Sequence, residues 1–527
     1  MLVAALRLAW LSDDSLITLR TALNITHGWG PGFNATESVQ AYTHPLWFLL
    51  WVTTGALTNQ WVLGIIAVSL VLSTGAVALV AWRTKSLARL IVAIGLLLFS
   101  NAFMEYTSSG LENPLGYLTV GVLIPLSLSL QQVRSRWWLR PALIGLTSAA
   151  VVLTRFDLLL LALPALALMT WQWRHSLKSI GVVLAGALVP LLAWFIWSQA
   201  TYGAFLPNTY LAKRNVDIPA SELIVQGLRY LWLTFEHDPV SLLAIVVGVG
   251  GALAIGTAIS RAWAIGIVIY LGYVIWIGGD FMAGRFLAVP VFASVFILAC
   301  LRSPLLESPS QQQPRHEELT RVLIALVLVV GLAGGSSLAG STPVALANPT
   351  SPRWEVDQNY NFGVSDERGT YIALKRDLKG LIDTLSEGYL NPDIAPLGDG
   401  SGLNRTLREI NRATQNWPTN DGKLTTPSEV GVYCGFLGTL GIATGPRVHL
   451  IDSCGLTDQF LANMRYAPAE PFAWKPGHFE RAVPDGYSEA MRTGQVTQMK
   501  DPLQALALDE LWAQIRPGYV RQIPTVG

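Results

Sequence analysis

The sequence is poor in charged residues. Asp, Glu, Lys and Arg make up 13% of its 527 residues, about half the share typical of soluble globular proteins. Hydrophobic residues make up 51% of the chain, and 19 of its residues are tryptophan, which membrane proteins place at the bilayer interfaces. The composition therefore argues against an ordinary soluble protein and favours an integral membrane protein.

Several functional motifs are missing. No basic stripe with interleaved aromatic residues is present, so no nucleic-acid partner is indicated. The seven histidines are scattered and no cysteines are paired at ligand spacing, so no metal is required, although pairs of acids could hold a divalent cation. The chain has neither a Walker loop nor a dinucleotide fingerprint, which disfavours a nucleotide-sugar donor.

Cysteine is scarce, with three residues in the whole chain. Cys300 lies inside an apolar run and is interpreted as a small buried hydrophobic residue. Cys434 and Cys454 lie in the polar C-terminal part. A disulfide between them is expected if that part is exported, and is not expected in a cytoplasmic domain.

Long apolar runs fill the first 340 residues, each near the ~20 residues that cross a bilayer. None alternates strictly as a barrel strand does, so helices are predicted. The runs are Trp61 to Trp82, Leu90 to Tyr106, Pro114 to Leu130, Pro141 to Leu153, Leu158 to Trp171, Ser179 to Ser198, Val240 to Ile259, Ala262 to Ile277, Phe286 to Leu301 and Val322 to Ala339.

Two features complicate this pattern. The run Thr43 to Thr58 would break the alternation of sides, so it is interpreted as a short interfacial or tilted helix. Few residues precede Asp13, too few for a first spanning helix at 1.5 Å per residue, so a truncated or misassigned N-terminus is expected. The predicted fold class is an α-helical polytopic membrane protein of about 11 spans.

Basic residues assign the sides of the membrane, because cytoplasmic loops are enriched in Lys and Arg. The loops predicted to be cytoplasmic carry Arg83, Lys85, Arg89, Arg134, Arg136, Arg140, Arg174, Lys178, Arg261, Arg302, Arg315 and Arg321. The other set of loops is then external: Ser12 to Tyr42, Thr107 to Asn113, Thr154 to Asp157, Thr201 to Asn215 and Gly278 to Arg285. Almost every unusual polar residue of the membrane part lies in this external set.

The composition changes after Ala339, where polar and charged residues replace the apolar runs. Thr342 to Gly527 is interpreted as a soluble α+β domain, with Glu429 to Leu440 and Arg447 to Ile451 as strands and short helices around a small core. The segment Ser308 to Pro314 is interpreted as a cytoplasmic linker. The predicted organisation is a membrane domain over residues 1–340 and an exported, periplasmic domain over residues 341–527.

The first external loop opens with two adjacent acids, Asp13 and Asp14. Carboxylates beside hydrocarbon are costly and usually functional, whereas a helix cap is the structural alternative. The loop continues through a Gly- and Asn-rich stretch to Tyr42 and His44. That composition is typical of a folded substrate loop rather than a solvated connector.

The other external loops carry acids and bases in close succession, and each has a structural alternative. Arg155 and Asp157 could form a simple structural ion pair, and Lys213 and Arg214 could extend their long side chains to the membrane surface. Asp280 and Arg285 could belong to a plain interhelical turn. Glu112 could be a helix cap. Together they supply what glycosyl transfer from a lipid phosphate needs. Carboxylates would assist the reacting hydroxyl or sugar, and cations would balance the leaving phosphate.

These residues, in order, carry a resemblance to a known family. The set runs Asp13-Asp14, Leu19-Arg20, Asn24, Gly30-Pro31, Phe33-Asn34, Ser109 to Glu112, Arg155, Pro207-Asn208-Thr209, Leu211-Ala212-Lys213, Gly278 to Met282 and Gly284-Arg285, then Asp366-Glu367-Arg368, Arg447 to Gly455 and Gly477 to Ala482. This succession resembles the actinobacterial terminal arabinofuranosyltransferases of the GT-C superfamily. One departure is His44-Pro45, where the family has a different pair.

The resemblance implies a GT-C membrane domain followed by a periplasmic domain. It implies a decaprenylphosphoryl-arabinose donor and, as acceptor, the non-reducing ends of the arabinan of arabinogalactan or lipoarabinomannan in the cell wall, with formation of a β(1→2) linkage. By position it assigns Lys213 and Arg285 to the donor phosphate and Glu112 to the sugar, with Asp13 and Asp14 as catalytic candidates.

The remaining expectations complete the site. Arg20, Arg155, Asp157, Asn208, Arg214 and Asp280 are further donor-binding candidates. In the exported domain, Trp474 and His478 are candidates for stacking on, and hydrogen bonding to, the acceptor sugar. The alternatives that stay open are a transferase that uses another polyprenyl-phosphate sugar, such as mannose, on a lipoglycan or glycoprotein, a polyprenyl-sugar transporter, and an inactive assembly protein. The absence of an internal repeat disfavours the transporter.

Overall fold

The computed structural model describes residues 1–128, 137–301, 315–338, 343, 345–346, 362–373, 405–422, 427 and 429–493. The predicted linker Ser308 to Pro314, the basic residues Arg134, Arg136 and Arg302, and much of the predicted exported domain lie outside these residues.

The described chain is mostly helical. Its helices are α1 (Leu2–Arg7), α2 (Asp13–Thr26), α3 (Pro45–Thr58), α4 (Trp61–Arg83), α5 (Leu87–Phe99), α6 (Asn101–Glu105), α7 (Asn113–Leu128), α8 (Leu139–Thr154), α9 (Leu158–Gln172), α10 (Leu177–Tyr202), α11 (Asn208–Arg214), α12 (Ala220–His237), α13 (Pro239–Ile255), α14 (Ala258–Trp276), α15 (Ala288–Cys300), α16 (Arg315–Leu338), α17 (Glu367–Ala373), α18 (Arg405–Gln415), α19 (Leu437–Thr444), α20 (Gln459–Asn463) and α21 (Tyr487–Arg492).

Three of the described helices, α4, α10 and α14, are long and apolar enough to cross a membrane. A fourth span results if α12 and α13, which meet at an angle of 108°, count as one, and seven shorter apolar helices accompany them. Helix α10 buries only Ser179, Trp194, Ser198 and Tyr202 of its 26 residues. An apolar helix with so much exposed surface suits lipid rather than water.

Most of the predicted runs coincide with helices, but some bounds are wrong. The run Leu90 to Tyr106 is broken at Ser100, whose side chain accepts from the N–H of Phe103 and caps α6. The predicted loop Ser12 to Tyr42 contains the 14-residue helix α2. The amphipathic helix α12 has no counterpart among the predicted runs, because its apolar residues are not continuous in sequence.

Asp238 makes the sharp bend between α12 and α13 and also fixes a second helix. Its carboxylate accepts from the backbone N–H of Ser241 at 3.3 Å, which caps α13. The same carboxylate accepts from Asn101 at 3.2 Å and from Ala102 at 2.8 Å. Since the first N–H groups of a helix lack internal partners, one buried acid stabilises the starts of both α13 and α6.

The two described strands form a small parallel sheet. Strand β1 (Glu429–Tyr433) pairs with β2 (Val448–Asp452), with Glu429 opposite Val448 and Tyr433 opposite Asp452. Helix α19 lies between them in sequence and packs against α2 near the N-terminus. The C-terminal part therefore contacts the first helices of the chain directly, as the next section details.

Candidate active site

Asp13 and Asp14 form the first turn of α2. The Ser12 hydroxyl accepts from the N–H of Ser15 at 3.2 Å, and acids in a first turn interact favourably with the helix dipole. The structural alternative of a helix cap is thus present in the molecule. The two carboxylates have different partners, however, because successive helical residues point about 100° apart.

Asp14 forms an ion pair with Arg285, in the loop between α14 and α15. Arg285 Nη1 lies 2.7 Å from Asp14 Oδ2, and Arg285 Nε lies 3.1 Å from Asp280 Oδ2. The side chain of Asp14 is 28% exposed, whereas that of Asp280 is 3% exposed. Desolvation would raise the pKa of Asp14, but the Arg285 guanidinium outweighs it and lowers that pKa. Burial raises the pKa of Asp280 despite Arg285.

A second ionic network surrounds Arg155. Its Nε and Nη2 contact the two oxygens of Asp157 at 3.0 and 2.6 Å, and its Nη1 lies 3.4 Å from Glu112. Glu112 also pairs with His44 Nδ1 at 3.4 Å, and His44 Nε2 lies 2.9 Å from the Thr18 hydroxyl on α2. The predicted Arg155–Asp157 pair therefore exists, but it extends to Glu112 and back to the helix that carries Asp14.

The ring of Phe286 joins the two networks. The Arg155 guanidinium carbon lies 4.3 Å from its centroid and that of Arg285 lies 5.4 Å from it. Such cation–π contacts are worth up to about 2 kcal/mol when desolvated. Two cations are thus held close together beside the four carboxylates of Asp14, Glu112, Asp157 and Asp280.

Lys213 adds a cation without a fixed partner. It lies in the last turn of α11 and is exposed, and it makes no ion pair with any residue that the structure describes. It is nevertheless close enough to help lower the pKa of Asp14. An exposed ammonium beside an ionised carboxylate is available to an anionic ligand.

His478 lies beside the charged cluster, on the 472–479 segment of the C-terminal part. Its ring meets Phe281 edge-on at 4.4 Å. Burial, followed by the nearby Lys475 cation, lowers the pKa of His478 to about 3, so its ring is neutral at pH 7. Trp474, on the same segment, donates to Glu222 at 3.2 Å and lies against Gly278. Both predicted acceptor residues thus cover the loop that carries Asp280 and Arg285.

Other predicted site residues make structural contacts. The Arg20 guanidinium donates to the carbonyl of Val448 at 2.7 Å and stacks on Phe33. The Tyr42 hydroxyl lies 2.9 Å from that of Tyr202. These contacts tie α2 to β2, and the segment between α2 and α3 to α10.

Asn208 and Arg214, two further donor-binding candidates, lie at the two ends of α11. The Asn208 amide donates to the carbonyls of Gly455 and Asp458 at 2.8 and 3.0 Å. Arg214 is exposed. Asn208 therefore anchors the helix that presents Lys213.

The sequence did not predict that the C-terminal part contacts the helices that carry Asp13 and Lys213. Gly438 and Thr439 of α19 donate their N–H groups to Asp13 at 2.9 and 2.7 Å. The Arg481 guanidinium donates to the carbonyl of Ala212, beside Lys213, at 2.6 Å. No motif in the sequence pairs these positions, because they are more than 200 residues apart.

Ser365 holds the loop between α14 and α15. Its N–H donates to Phe281 at 2.8 Å, and its carbonyl accepts from Ala283 at 3.0 Å. These two hydrogen bonds flank Met282, so Ser365 pairs with the loop as a neighbouring strand would. The paired position lies between Asp280 and Arg285. Ser365 precedes Asp366-Glu367-Arg368, so the family motif of the C-terminal part lies directly beside the charged cluster.

The two C-terminal cysteines are bonded, as expected for an exported segment. Cys434 follows β1 and Cys454 follows β2, and their Cα atoms are 5.1 Å apart. Cys300 is a free thiol. The disulfide joins the end of β1, before α19, to the residues that follow β2, after α19.

No group of three or more metal-ligating side chains with suitable geometry occurs among the residues that the structure describes. The carboxylates of the cluster already have cationic neighbours. Arg285 forms ion pairs with Asp14 and Asp280, and Arg155 forms ion pairs with Glu112 and Asp157.

Two curated proteins are similar to the chain over most of its length. A terminal β-(1→2)-arabinofuranosyltransferase of Corynebacterium glutamicum is 27% identical over 82% of this chain, and the aligned part is 66% of that protein. A protein of the same name from Mycobacterium tuberculosis is 25% identical over 86% of this chain and 78% of its own length. The chain thus spans about two thirds of the Corynebacterium protein.

No protein-family model and no solved structure matches the chain. The two relatives nevertheless confirm the resemblance that the motifs predict, and both are glycosyltransferases by name. The chain is a relative of the terminal β-(1→2)-arabinofuranosyltransferases.

Proposed function

We propose that this protein transfers arabinofuranose from decaprenylphosphoryl-arabinose to the non-reducing ends of cell-wall arabinan, forming a β(1→2) linkage. The names of both relatives support the sugar and the linkage. The observation that carries the proposal is the cluster around Arg285, where carboxylates and cations from α2 and from the loop between α14 and α15 meet in an apolar helical protein.

The cations suit a lipid-phosphate donor. Lys213 has no ion-pair partner among the described residues and borders Asp14, so it can bind the phosphate without breaking an existing pair. Arg285 is held by Asp14 and Asp280 and can share its charge with the phosphate as the glycosidic bond breaks. Charge-assisted contacts of this kind are roughly twice as strong as neutral hydrogen bonds.

Glu112 and His44 are suited to hold the sugar. Both side chains are buried, and they pair with each other at 3.4 Å. Burial lowers the pKa of His44 although Glu112 opposes this, so the ring offers a neutral donor or acceptor at pH 7. Hydroxyl groups of a sugar would complete the hydrogen bonding of such a pair.

Asp14 is the carboxylate that we assign to the reacting centre. It is ionised, its side chain is partly exposed, and it lies between Arg285 and the region of Lys213. The donor is β-linked and so is the proposed product, so the reaction would retain configuration. Since one direct displacement inverts a centre, Asp14 would act either as a nucleophile or as the partner of an oxocarbenium-like sugar, not as a base alone.

We further propose that about 11 segments span the plasma membrane and that residues 341–527 form a periplasmic domain that binds the acceptor. The disulfide Cys434–Cys454 supports export of that part, because such bonds persist in oxidising compartments. The exposed residues Lys85 and Thr419 offer a test of orientation. In intact cells, an impermeant thiol reagent should label Thr419→Cys and not Lys85→Cys, and the opposite pattern would refute the orientation.

Divalent cations are not required in this proposal, because arginines already neutralise the carboxylates of the cluster. Treatment with EDTA should leave transfer within about twofold of the untreated enzyme, since no metal carries transition-state charge. Loss of activity on chelation, with recovery on addition of Mg²⁺ or Ca²⁺, would contradict this.

The direct test of the proposal compares donors. Purified protein would receive radiolabelled decaprenylphosphoryl-arabinofuranose or decaprenylphosphoryl-mannose together with a short synthetic arabinan. Transfer of arabinose with a β(1→2) linkage is expected, with no transfer of mannose. Preference for mannose would redirect the proposal to a lipoglycan or glycoprotein acceptor. Movement of labelled donor across vesicles without transfer would indicate a transporter.

A further inference from the structure

Helix α19 begins without a capping side chain of its own. Its N-cap residue, Phe436, has a left-handed backbone (φ 52°) and makes no side-chain capping hydrogen bond. The first N–H groups of a helix have no partners inside the helix. Here the carboxylate of Asp13 accepts from Gly438 N–H at 2.9 Å and from Thr439 N–H at 2.7 Å, and it also accepts from the Thr439 hydroxyl at 2.8 Å. The cap comes from 425 residues away in sequence.

The two helices touch through their backbones at this point. A Cβ atom added to Gly438 would lie 2.1 Å from the carbonyl oxygen of Asp13 and 2.8 Å from Ile17 N. One added to Gly441 would lie 2.7 Å from the ring of Phe33 and 2.8 Å from the side chain of Arg20. Because α2 and its side chains leave no room for a Cβ atom at these two glycines, rotation or sliding of α2 against α19 would break the cap.

Helix α19 is itself fixed. The disulfide Cys434–Cys454 joins the end of β1, before α19, to the residues that follow β2. Asn34 both donates to and accepts from the backbone of Leu450 in β2 at 3.0 Å. The Asp13 cap therefore connects α2 to a rigid support rather than to a free surface helix.

The two adjacent acids consequently divide their tasks. Both carboxylate oxygens of Asp13 accept hydrogen bonds from α19, and Asp13 is 7% exposed. Asp14 instead faces Arg285 at 2.7 Å and keeps 28% of its side chain accessible. We infer that Asp13 is a positioning residue, which caps α19 and thereby holds α2 so that Asp14 meets Arg285 in the orientation that transfer requires. This inference rests on the proposed function.

A double-mutant cycle tests the assignment from both sides of the cap. Asp13→Ala removes the acceptor, Thr439→Val removes one donor, and Asp13→Asn keeps one acceptor oxygen. Thr444→Val is the matched control, because it removes a hydroxyl of the same helix that donates to the carbonyl of Leu440, within α19, at 2.8 Å. For each folded variant, kcat and the donor KM would be measured with labelled donor.

We expect Asp13→Ala to lower kcat roughly 100-fold, as a displacement of about 1 Å can, and Thr439→Val to lower it roughly 3- to 10-fold, as loss of one hydrogen bond does. The double variant should be no worse than Asp13→Ala alone. Asp13→Asn should recover about tenfold of the loss relative to Asp13→Ala, with the donor KM within about threefold of wild type throughout. Thr444→Val should behave as wild type.

Three outcomes would overturn the assignment. If Asp13→Asn lost as much activity as Asp14→Asn while Thr439→Val behaved as wild type, Asp13 would be catalytic. If the effects of Asp13→Ala and Thr439→Val multiplied, the two residues would act independently. If activity per folded molecule were unchanged in Asp13→Ala, the cap would serve stability only.

Hydrogen exchange provides a readout that does not depend on which sugar is transferred. In Asp13→Ala, the amides at the start of α19 should exchange at least tenfold faster, whereas Thr444→Val should leave them unchanged. Unchanged exchange in Asp13→Ala would refute the cap even if arabinose is transferred. If the wild type transferred no arabinose, the proposed function would fail, and exchange would still decide whether Asp13 caps α19.

Discussion

Asp14 and Arg285 are 271 residues apart in sequence, and their side chains meet at 2.7 Å. Arg285 also lies 3.1 Å from Asp280, so one guanidinium serves two carboxylates of different accessibility. The arrangement keeps Asp14 ionised and facing open space. The arrangement of the cluster therefore depends most on the side chain of Arg285.

Replacement of Arg285 by lysine should therefore be damaging although the charge is kept. A lysine ammonium lacks the planar fork that contacts Asp14 and Asp280 at once. We expect kcat for transfer to fall roughly 100-fold, in the range seen when one group that stabilises transition-state charge is lost. Steady-state kinetics of Arg285→Lys measure this, and a change of less than threefold would contradict the central place of Arg285.

Lys213 and Arg214 offer a matched pair of cations at the end of α11. Lys213 borders Asp14 and Asp280, whereas the cluster does not involve Arg214. Lys213→Ala should weaken binding of the lipid-phosphate donor roughly 10- to 100-fold, as loss of a charge-assisted contact does. Arg214→Ala should weaken it less than twofold. Equal effects of the two variants in a donor-binding assay would mean that general surface charge, not the site, attracts the donor.

The burial of Asp13 against α19 should be visible in the pH dependence of stability. Burial raises the pKa of Asp13 from 3.8 to about 6 despite hydrogen bonds from Gly438 and Thr439. Between these values the folded protein holds a proton that the unfolded chain has lost, so this group makes stability fall as pH rises from 4 to 6. Asp13→Asn should lose this contribution, worth roughly 2–3 kcal/mol across the window.

Thermal unfolding of wild type and Asp13→Asn in detergent, at several pH values, measures the difference. Asp452, whose pKa burial also raises to about 6, contributes equally to both proteins and cancels in the comparison. Parallel curves for the two proteins between pH 4 and 6 would show that Asp13 does not titrate there.

The disulfide Cys434–Cys454 should contribute to both stability and activity. It closes a loop with a sequence separation of 20, for which a stabilisation of about 3 kcal/mol is typical. Because the bond supports α19, and α19 holds Asp13, we expect the Cys434→Ser/Cys454→Ser variant to melt at a lower temperature and to show a lower kcat. Cys300→Ser is the control and should change neither. A destabilised variant with unaltered kcat per folded molecule would separate the bond from the site.

The apolar runs predicted most of the membrane helices, because a continuous stretch of hydrophobic residues is visible in the sequence itself. Helix α2 was missed because its mixed residues, from Asp13 to Thr26, form a helix through contacts with α19 and β2 rather than through an apolar run. Helix α12 was missed for a similar reason, since its amphipathic pattern is shorter and less apolar than that of a span.

The charged residues of the site were predicted individually, and their external-loop positions suggested that they would meet. Their partners could not be predicted. Asp13 differs from Asp14 because it accepts hydrogen bonds from Thr439. The position of Lys213 depends on the contacts of Arg481 with α11 and of Asn208 with the C-terminal part. Each of these contacts joins residues that are at least 247 positions apart in sequence, and no local periodicity predicts it.

The most direct test of the account is transfer of radiolabelled arabinofuranose from decaprenylphosphoryl-arabinofuranose to a synthetic arabinan by wild type and by Asp14→Asn, with donor binding measured on both. We predict β(1→2)-linked product from wild type, and at least a 1000-fold lower rate from Asp14→Asn at similar donor affinity, because the variant keeps its cations but loses the reacting carboxylate. Transfer by Asp14→Asn within tenfold of wild type would contradict the account.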